Sequence, residues 1–380
     1  MTKVRLGIIG MGGMGTDHFN QIKKIENIEV TALCDLDEKR IAFFDGKKFS
    51  DYHKLIISGV VDAVCIATPH YVHTPAAIDA LQNGLHVLVE KPIAVHVNDA
   101  KKMIAAHTDK KLKFAAMFNQ RTNPIFQKIK QLVSTGELGE MRRINWIATD
   151  WFRSYAYYAS GGWRATWKGE GGGVLLNQCP HNLDLLQWIT GLPKKVTAFI
   201  GLGKYHDIEV EDEVNAFLEY ENGATGVFIT TAGEAPGTNR FEIAGERGKL
   251  VLEKGKLHFT RNEVETTQFS KTTSQRFGVP PVWEIDIPVS GPGEQHTGIH
   301  KNFRDAILND APLVAPAEEG IRSLELGNAM LLSGLQKKTM ELPLDGEALY
   351  CHLKNLIETS RFVKQKTVEA QDDLGASFKH

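Results

Sequence analysis

The chain has 380 residues, 42% hydrophobic and 24% charged, which is the balance of an ordinary globular protein with room for two sizeable cores. A formal net charge of −2 gives no electrostatic case for nucleic acid or an acidic membrane surface, and no apolar run is long enough to span a bilayer. Four scattered cysteines, Cys34, Cys65, Cys179 and Cys351, lack Cys-x-x-Cys spacing; this argues against a disulfide framework or a metal site and for reduced thiols in the cytoplasm.

Two basic residues, Lys3 and Arg5, precede the first apolar run. Glycines break that run and no small-residue cleavage site follows, so it is not read as a signal peptide. Strand and helix signals then alternate. Val4–Ile9 reads as a strand ending in glycine, followed by a helical stretch to about Ile25. Strands are expected at 30–34, 63–67, 85–89 and 112–117, with helices at 73–83, closed by Gly84, and at 97–108. Alternation of this kind predicts a parallel sheet with helices on both faces over residues 1–123. Beyond Pro124 the pattern changes. A helix at 125–134 leads to a strand at 141–152 and a helical stretch at 174–190. Turns at Glu221-Asn222-Gly223, Gly245-Glu246-Arg247-Gly248 and Glu253-Lys254-Gly255-Lys256 then join strands into an antiparallel sheet. Helices at 301–309 and 318–334 complete a second domain spanning 124–370, and a polar tail, 371–380, is expected to be mobile.

The glycine-rich turn Gly10-Met11-Gly12-Gly13-Met14-Gly15 follows a strand and precedes a helix, and Asp35 lies twenty positions after Gly15. A lone Gly-x-Gly-x-x-Gly signifies little more than a tight turn, but this context suits a dinucleotide. Gly10 makes the turn, Gly12 lets the backbone approach a pyrophosphate, Gly15 lets helix and strand pack, and free N–H groups at the helix amino terminus face the phosphates. Asp35 suits ribose hydroxyls and would repel a 2′-phosphate by ~4 kcal/mol at contact. NAD is therefore favoured. Lys39 and Arg40, one helical turn on, read first as a solvated face but leave NADP open.

Glu90-Lys91-Pro92 ends an apolar strand, and Thr68-Pro69-His70-Tyr71-Val72-His73 follows the preceding one. Both fall at the carboxyl edge of the expected sheet, where open α/β sheets place ligands. Pro92 is a candidate for a cis bond. The second domain supplies Gly171-Gly172-Gly173 and then Asn177, His181 and Asp184. These share a face if 174–190 is one helix; if the helix starts at Pro180, Asn177 precedes it and that grouping weakens.

With these motifs and Trp163-Arg164, nearly the whole chain resembles the glucose–fructose oxidoreductase / inositol dehydrogenase (Gfo/Idh/MocA) family. The resemblance implies an α/β fold: a Rossmann domain, then an α/β domain with a large open, mostly antiparallel sheet, whose late helix (318–334) packs back on the first domain. It implies NAD(P)-dependent oxidation of a ring hydroxyl on an inositol, sugar or related cyclic polyol, or the reverse reduction. Lys91 is then the lysine at the reacting oxygen and His181 the acid/base. The family commonly has aspartate where this chain has Asn177, and glycine at Cys179; asparagine can position a hydroxyl but cannot titrate. The cofactor-facing set under this resemblance is Gly10, Met11, Gly12, Gly13, Met14, Gly15, Asp35, Thr68, Pro69, His70, His73, Glu90, Lys91, Trp163 and Arg164. Lys91, Asn177, His181 and Trp163 face substrate.

The stretch from Trp146 to Trp167 is dense in aromatics (Trp151, Phe152, Tyr155, Tyr157, Tyr158 and Trp163 among them). These suit sugar stacking, or equally the anchoring of a loop or subunit contact. An open sheet face predicts a homodimer or homotetramer. Competing functions are a non-catalytic NAD(P) sensor and an enzyme that uses tightly bound NAD without net redox, for instance on glycosides.

Overall fold

The computed structural model describes residues 2–364. The tail expected at 371–380 lies outside these residues. The first sheet is built by β1 (Val4–Ile9), β2 (Ile28–Cys34), β3 (Lys47–Phe49), β4 (Ala63–Ile66), β5 (His86–Val89) and β6 (Phe114–Ala116), interleaved with α1 (Gly13–Ile22), α2 (Tyr52–Ile56), α3 (His70–Gln82) and α4 (Val97–Ala106). All neighbours are parallel, in the order β3-β2-β1-β4-β5-β6. Central strands are mostly apolar (Val64, Cys65, Val87 and Leu88 are fully buried) because helices cover both faces. The strand order reverses between β1 and β4, and the turns after these two strands open the crevice at the carboxyl edge.

The second part carries α5 (Pro124–Ser134), β7 (Met141–Ala148), α6 (Tyr155–Ala159), α7 (Pro180–Thr190), β8 (Lys195–Leu202), β9 (Glu211–Glu219), β10 (Thr225–Thr231), β11 (Asn239–Gly245), β12 (Gly248–Glu253), β13 (Lys256–Asn262), α8 (Thr266–Thr272), β14 (Val282–Ile287), α9 (Gln295–Asn309), α10 (Ala317–Gln336), β15 (Met340–Glu341) and α11 (Gly346–Thr359). Nine strands form one sheet, β14-β13-β12-β11-β7-β10-β9-β8-β15, antiparallel throughout except for the parallel pair β7–β10. The fold is thus the expected pairing of a Rossmann-type parallel sheet with a large, mostly antiparallel one. Turn chemistry sets its hairpins. Lys254 (φ +50°) and Gly255 (φ +71°) make the two-residue turn closed by the Glu253–Lys256 pair.

Several element boundaries differ from the sequence expectation. Helix α3 starts at His70 rather than His73 and takes in Pro75. The stretch 174–190 is helical only from Pro180, which occupies the first turn, where its missing N–H costs nothing. Asn177 therefore precedes the helix and does not share a helical face with His181 and Asp184. Helix α9 begins at Gln295, six residues before the expected 301. The edge strand β3 and the short α2 had no periodic signal.

Helix α10 lies between the sheets. One side packs on β8. On the other, Asn328 accepts from Val97 N (3.0 Å) and donates to Val95 O (3.1 Å), beside the Lys91-Pro92 turn. A second clamp is ionic. Arg121, in the short 3-10 segment after β6, makes a bidentate pair with Asp184 of α7 (2.7 and 2.8 Å), and its other nitrogen reaches Glu319 of α10 (2.6 Å). Arg121 and Asp184 are each 1% exposed. Removing one member strands a buried charge, so Arg121→Met is expected to cost about 3–5 kcal/mol. Urea unfolding measures this; a midpoint close to that of the wild type would show that the clamp carries little of the fold.

Candidate active site

The dinucleotide groove follows from three glycines. Gly10 has φ +92°, and a Cβ there would sit 2.7 Å from the Ala67 carbonyl oxygen, so both the backbone angle and the close approach exclude a side chain. At Gly15 a Cβ would lie 1.8 Å from the Gly10 carbonyl oxygen, which is the tight strand–helix contact expected of the third glycine. Gly12 differs: a Cβ would meet only Arg40 Nη1 at 3.6 Å, so this glycine leaves space on the groove side. Met11, Gly12, Gly13, Thr16, Asp17, Asn20 and Arg40 line a groove of about 450 Å³. The α1 amino terminus has no capping side chain and no acidic residue in its first turn. Its N–H groups therefore face the groove available to an anion. Met14 is half-buried in that first turn.

Asp35 accepts from Met11 N (2.7 Å) and Asp37 N (2.9 Å), which fixes its carboxylate at the groove edge. Arg40 lies between Asp35 (4.0 Å) and Asp37 (3.7 Å), beside the groove rather than on a separate solvated face. Thr68 Oγ1 is buried without a protein partner at the end of β4, and Pro69 caps α3. These features fit an NAD dinucleotide: an anion-ready helix end, an open glycine, a fixed carboxylate and an orphan hydroxyl at one sheet edge. His73 bridges the carbonyls of Thr68 and Pro92 (both 2.8 Å) and so ties two edge loops together.

At the end of β5, Glu90 is buried and accepts from Lys91 N (2.9 Å) through one oxygen and from His18 Nε2 (2.9 Å) through the other. Burial pushes its carboxyl up, but the His18 hydrogen bond and nearby cations outweigh that and hold it below the usual range. His18 continues to His300 Nε2 (3.0 Å) on α9, with His296 one turn away. The Lys91-Pro92 bond is cis. Lys91 Nζ donates to the Asn177 carbonyl (2.8 Å), so the crevice lysine touches the second part of the chain directly. Burial lowers the Lys91 pKa, Glu90 opposes that shift, and Arg164 adds to it.

His181 lies in the first turn of α7, edge-on to Phe118, with Nδ1 buried and unpartnered. Burial, then the Lys91 charge, pushes its imidazole well below the ordinary histidine value, so it is neutral at pH 7. Asp184 does not join it; its carboxylate is taken by Arg121. Before α7, Gly171 (φ +82°) packs on Val95, and a Cβ at Gly173 would fall 1.9 Å from the Glu211 carbonyl oxygen. Glu211 holds this turn, its Oε1 accepting from Gly173 N (2.8 Å) and Leu175 N (3.1 Å). The Asn177 side chain donates to Glu170, a fully enclosed carboxylate. Trp163 sits edge-on to His70 (5.3 Å between ring centres), and Arg164 lies over the Trp163 and Tyr157 rings and donates to Tyr157 Oη (2.8 Å). His70 donates to the Glu170 carbonyl (3.1 Å).

Lys91, Asn177, His181, Trp163 and Arg164 thus converge at the edge of the first sheet, with Thr68, Pro69, His70 and His73 bordering them. Much of the aromatic stretch is core instead: Trp146 stacks on Phe241 (4.3 Å), and Tyr158 and Trp167 are buried. The sequence did not point to His18, His296, His300, Glu170 or Glu211. His296 and His300 stand four apart on one helix, a pattern concealed by placing its start at 301. Among the described residues no group of three or more His, Cys, Asp or Glu is arranged to hold a metal ion, and no helix is long and apolar enough to cross a membrane.

Comparison with known proteins agrees with this fold. Residues 4–118 match the family model for an oxidoreductase family with an NAD-binding Rossmann fold, and residues 126–251 match the GFO/IDH/MocA C-terminal domain. Myo-inositol 2-dehydrogenase of Thermotoga maritima is 26% identical over 66% of this chain and 75% of its own. Levoglucosan dehydrogenase of Pseudarthrobacter phenanthrenivorans is 25% identical over 90% of this chain and 99% of its own. The crystal structure of the WlbA dehydrogenase of Bordetella pertussis, in complex with NADH and UDP-GlcNAcA, matches at a TM-score of 0.76 and 26% identity, covering 90% of this chain and 100% of that one.

The Glu211 contacts make a pH prediction. Burial raises its carboxyl from 4.5 to about 7, with Glu170 adding to the rise, and its Oε2 has no partner. A carboxyl whose folded pKa is raised contributes stability in its protonated form. That contribution is complete below about pH 4.5 and is lost as pH climbs through about 7, amounting to at most about 3 kcal/mol. Glu211→Gln keeps an oxygen for Gly173 and Leu175 and does not ionise. Its melting temperature is expected to fall less than that of the wild type between pH 5 and 8; parallel curves would contradict the assignment.

Proposed function

Because the chain belongs to the Gfo/Idh/MocA oxidoreductase family and carries its NAD-binding Rossmann domain, we propose that it interconverts a ring hydroxyl and a ketone on an inositol, sugar or related cyclic polyol. The observation that carries this is the meeting of Lys91, from the end of the first sheet, with Asn177 and the neutral His181 of the second part. Relatives named for myo-inositol and levoglucosan, and a neighbour crystallised with UDP-GlcNAcA, support a ring alcohol as the substrate class. Gly10, Gly12, Gly15, the α1 amino terminus, Asp35 and Thr68 would hold the dinucleotide. When bound there, its nicotinamide supplies the hydride acceptor or donor.

The remaining chemistry belongs to side chains. An alcohol can give up hydride only if its O–H proton also leaves. His181, uncharged and with an unused nitrogen, takes that proton. The Lys91 ammonium donates to the same oxygen as negative charge develops on it. Asn177 cannot titrate, so it orients a hydroxyl. Arg164 lies over one face of the Trp163 ring, and Trp163 offers its other face to the sugar. Free thiols at Cys34, Cys65, Cys179 and Cys351 support a cytoplasmic setting.

The outer face of the second sheet supports self-association. Phe199 is 75% exposed and Phe217 45% exposed on adjacent strands. Val227 pairs with Phe217, and Ile147 with Ile229, on strands where they alternate with the core residues Ile144, Trp146 and Phe228. An apolar band of this kind is normally covered. A homodimer or homotetramer is proposed, and light scattering at micromolar concentration is expected to give that mass; a monomer would count against it.

Turnover tests the reaction. Cofactor reduction is to be followed across inositols and sugars, with NAD and NADP in parallel. His181→Ala should lower kcat by about 10²–10⁴-fold while NAD binding, followed by fluorescence, persists. Near-wild-type turnover in that variant would remove His181 from the reaction.

A further inference from the structure

Glu170 has no place in the chemistry so far, yet it is the carboxylate built into the back of the site. It is 1% exposed. Ala165 N–H donates to its Oε2 (2.6 Å) and the Asn177 side-chain amide to its Oε1, both uncharged donors. Enclosing a carboxylate this way costs free energy, and burial raises its pKa accordingly. Such a group persists at that cost where its charge has a use. The charges that favour its ionised form are Arg164 and Lys91.

The link to Lys91 is geometric. One residue, Asn177, contacts both: its side chain is held by Glu170, and its backbone carbonyl accepts from Lys91 Nζ at 2.8 Å. Lys91 also sits among opposing charges, with Glu90 and Glu170 favouring the ammonium and Arg164 and Arg153 disfavouring it. The histidines that feel Lys91, namely His70, His73, His181 and His296, all have pKa values lowered by burial, and His70, His181 and His296 are neutral near pH 7. Tyr158, Glu211 and Lys364 also feel the Glu170 charge. With Asn177 neutral, Glu170 is the carboxylate from the second part of the chain that balances the lysine.

We propose that Glu170 is a positioning residue for this site, fixing Asn177 so that its carbonyl meets Lys91 and supplying the negative charge that keeps Lys91 an ammonium. This rests on the reading of Lys91 as the residue facing the reacting oxygen. Glu170 itself touches neither substrate nor cofactor; it acts through Asn177 and through its field.

The test uses the full chain as wild type, Glu170→Gln and the double variant Glu170→Gln with Asn177→Asp, which moves the carboxylate one side chain toward Lys91. Reductive methylation of Lys91 is followed by peptide mass spectrometry from pH 6 to 10, without substrate. In Glu170→Gln the labelling midpoint is expected to move to lower pH, so that Lys91 reacts about tenfold faster at neutral pH. The double variant is expected to return toward wild type. An unchanged midpoint in Glu170→Gln overturns the proposal, as does a shifted midpoint that Asn177→Asp does not reverse. With any alcohol the wild type turns over, Glu170→Gln is expected to lower kcat more than it changes KM and to shift the pH profile in the same direction. If the wild type oxidises no alcohol in the panel, the hydride-transfer reading fails, while the methylation result still decides the role of Glu170. Should Glu170→Gln fail to fold by circular dichroism, Glu170→Asp takes its place. It is expected to keep the wild-type labelling midpoint and lose kcat, and wild-type kcat in that variant overturns the positioning role.

Discussion

Arg121 cannot be buried alone. Its guanidinium is enclosed at the point where the first sheet ends and the second part of the chain begins, and two carboxylates from two different helices must meet it there. That requirement fixes geometry more tightly than apolar contact would, because bidentate pairing tolerates little rotation. Asp184 lies one turn after His181 on α7, so the pair that satisfies Arg121 also sets the reach of the imidazole. Glu319 opens α10, and Asn328, further along that helix, bonds the backbone on either side of His96, just beyond the Lys91-Pro92 turn. The lysine and the histidine come from opposite sides of a domain junction. Buried polar contacts, rather than burial in general, hold them in register.

For the proposed reaction the site balances two demands. Proton transfer from an alcohol needs a neutral base and a cation close together, and each destabilises the other's charged form. Burial resolves this for the imidazoles. His181, His296 and His300 are all driven toward the neutral form, His296 down to about 4. Burial pulls Lys91 the same way, and carboxylates on two sides oppose it, Glu90 behind its own backbone and Glu170 behind Asn177. The His300–His18–Glu90 chain accommodates one consistent set of donors, His300 Nε2–H to His18 Nδ1 and His18 Nε2–H to Glu90, and in that tautomer it braces the anion.

The legible parts of the fold were those with local signals. Strands β1, β4 and β5 read as largely apolar runs because a parallel sheet buries both faces, and the hairpins read from Asn-Gly and Lys-Gly turns. Strand β3, Lys47-Lys48-Phe49, is a polar edge that packing does not constrain. The stretch 174–179 imitated helix because Val174, Leu175 and Leu176 are buried. They are buried in a turn held by Glu211, thirty-odd positions downstream, so nothing local distinguishes the two cases. In the site, Gly10–Gly15, Lys91 and His181 were visible as motifs. His18 meets a histidine 282 positions away, and Asp184 was visible as a motif residue while its partner Arg121 was not. Contacts of that separation leave no periodicity to read.

The groove edge shows how such long-range detail bears on cofactor chemistry. Asp35 was legible from its spacing, and its carboxylate suits ribose hydroxyls. Arg40, one turn on, looked like a possible counter-charge for a 2′-phosphate. In the fold it stands between Asp35 and Asp37, at 4.0 and 3.7 Å, so its charge already faces two carboxylates. Asp35 cannot easily turn away, because Met11 N and Asp37 N hold both of its oxygens. A phosphate placed there would meet a fixed anion with the nearest guanidinium engaged, and it would have to draw Arg40 off both partners to gain from it. A pair of hydroxyls asks for no such rearrangement: each can donate to a carboxylate already held in place. The preference for NAD therefore rests on the fixed position of Asp35 as much as on its charge.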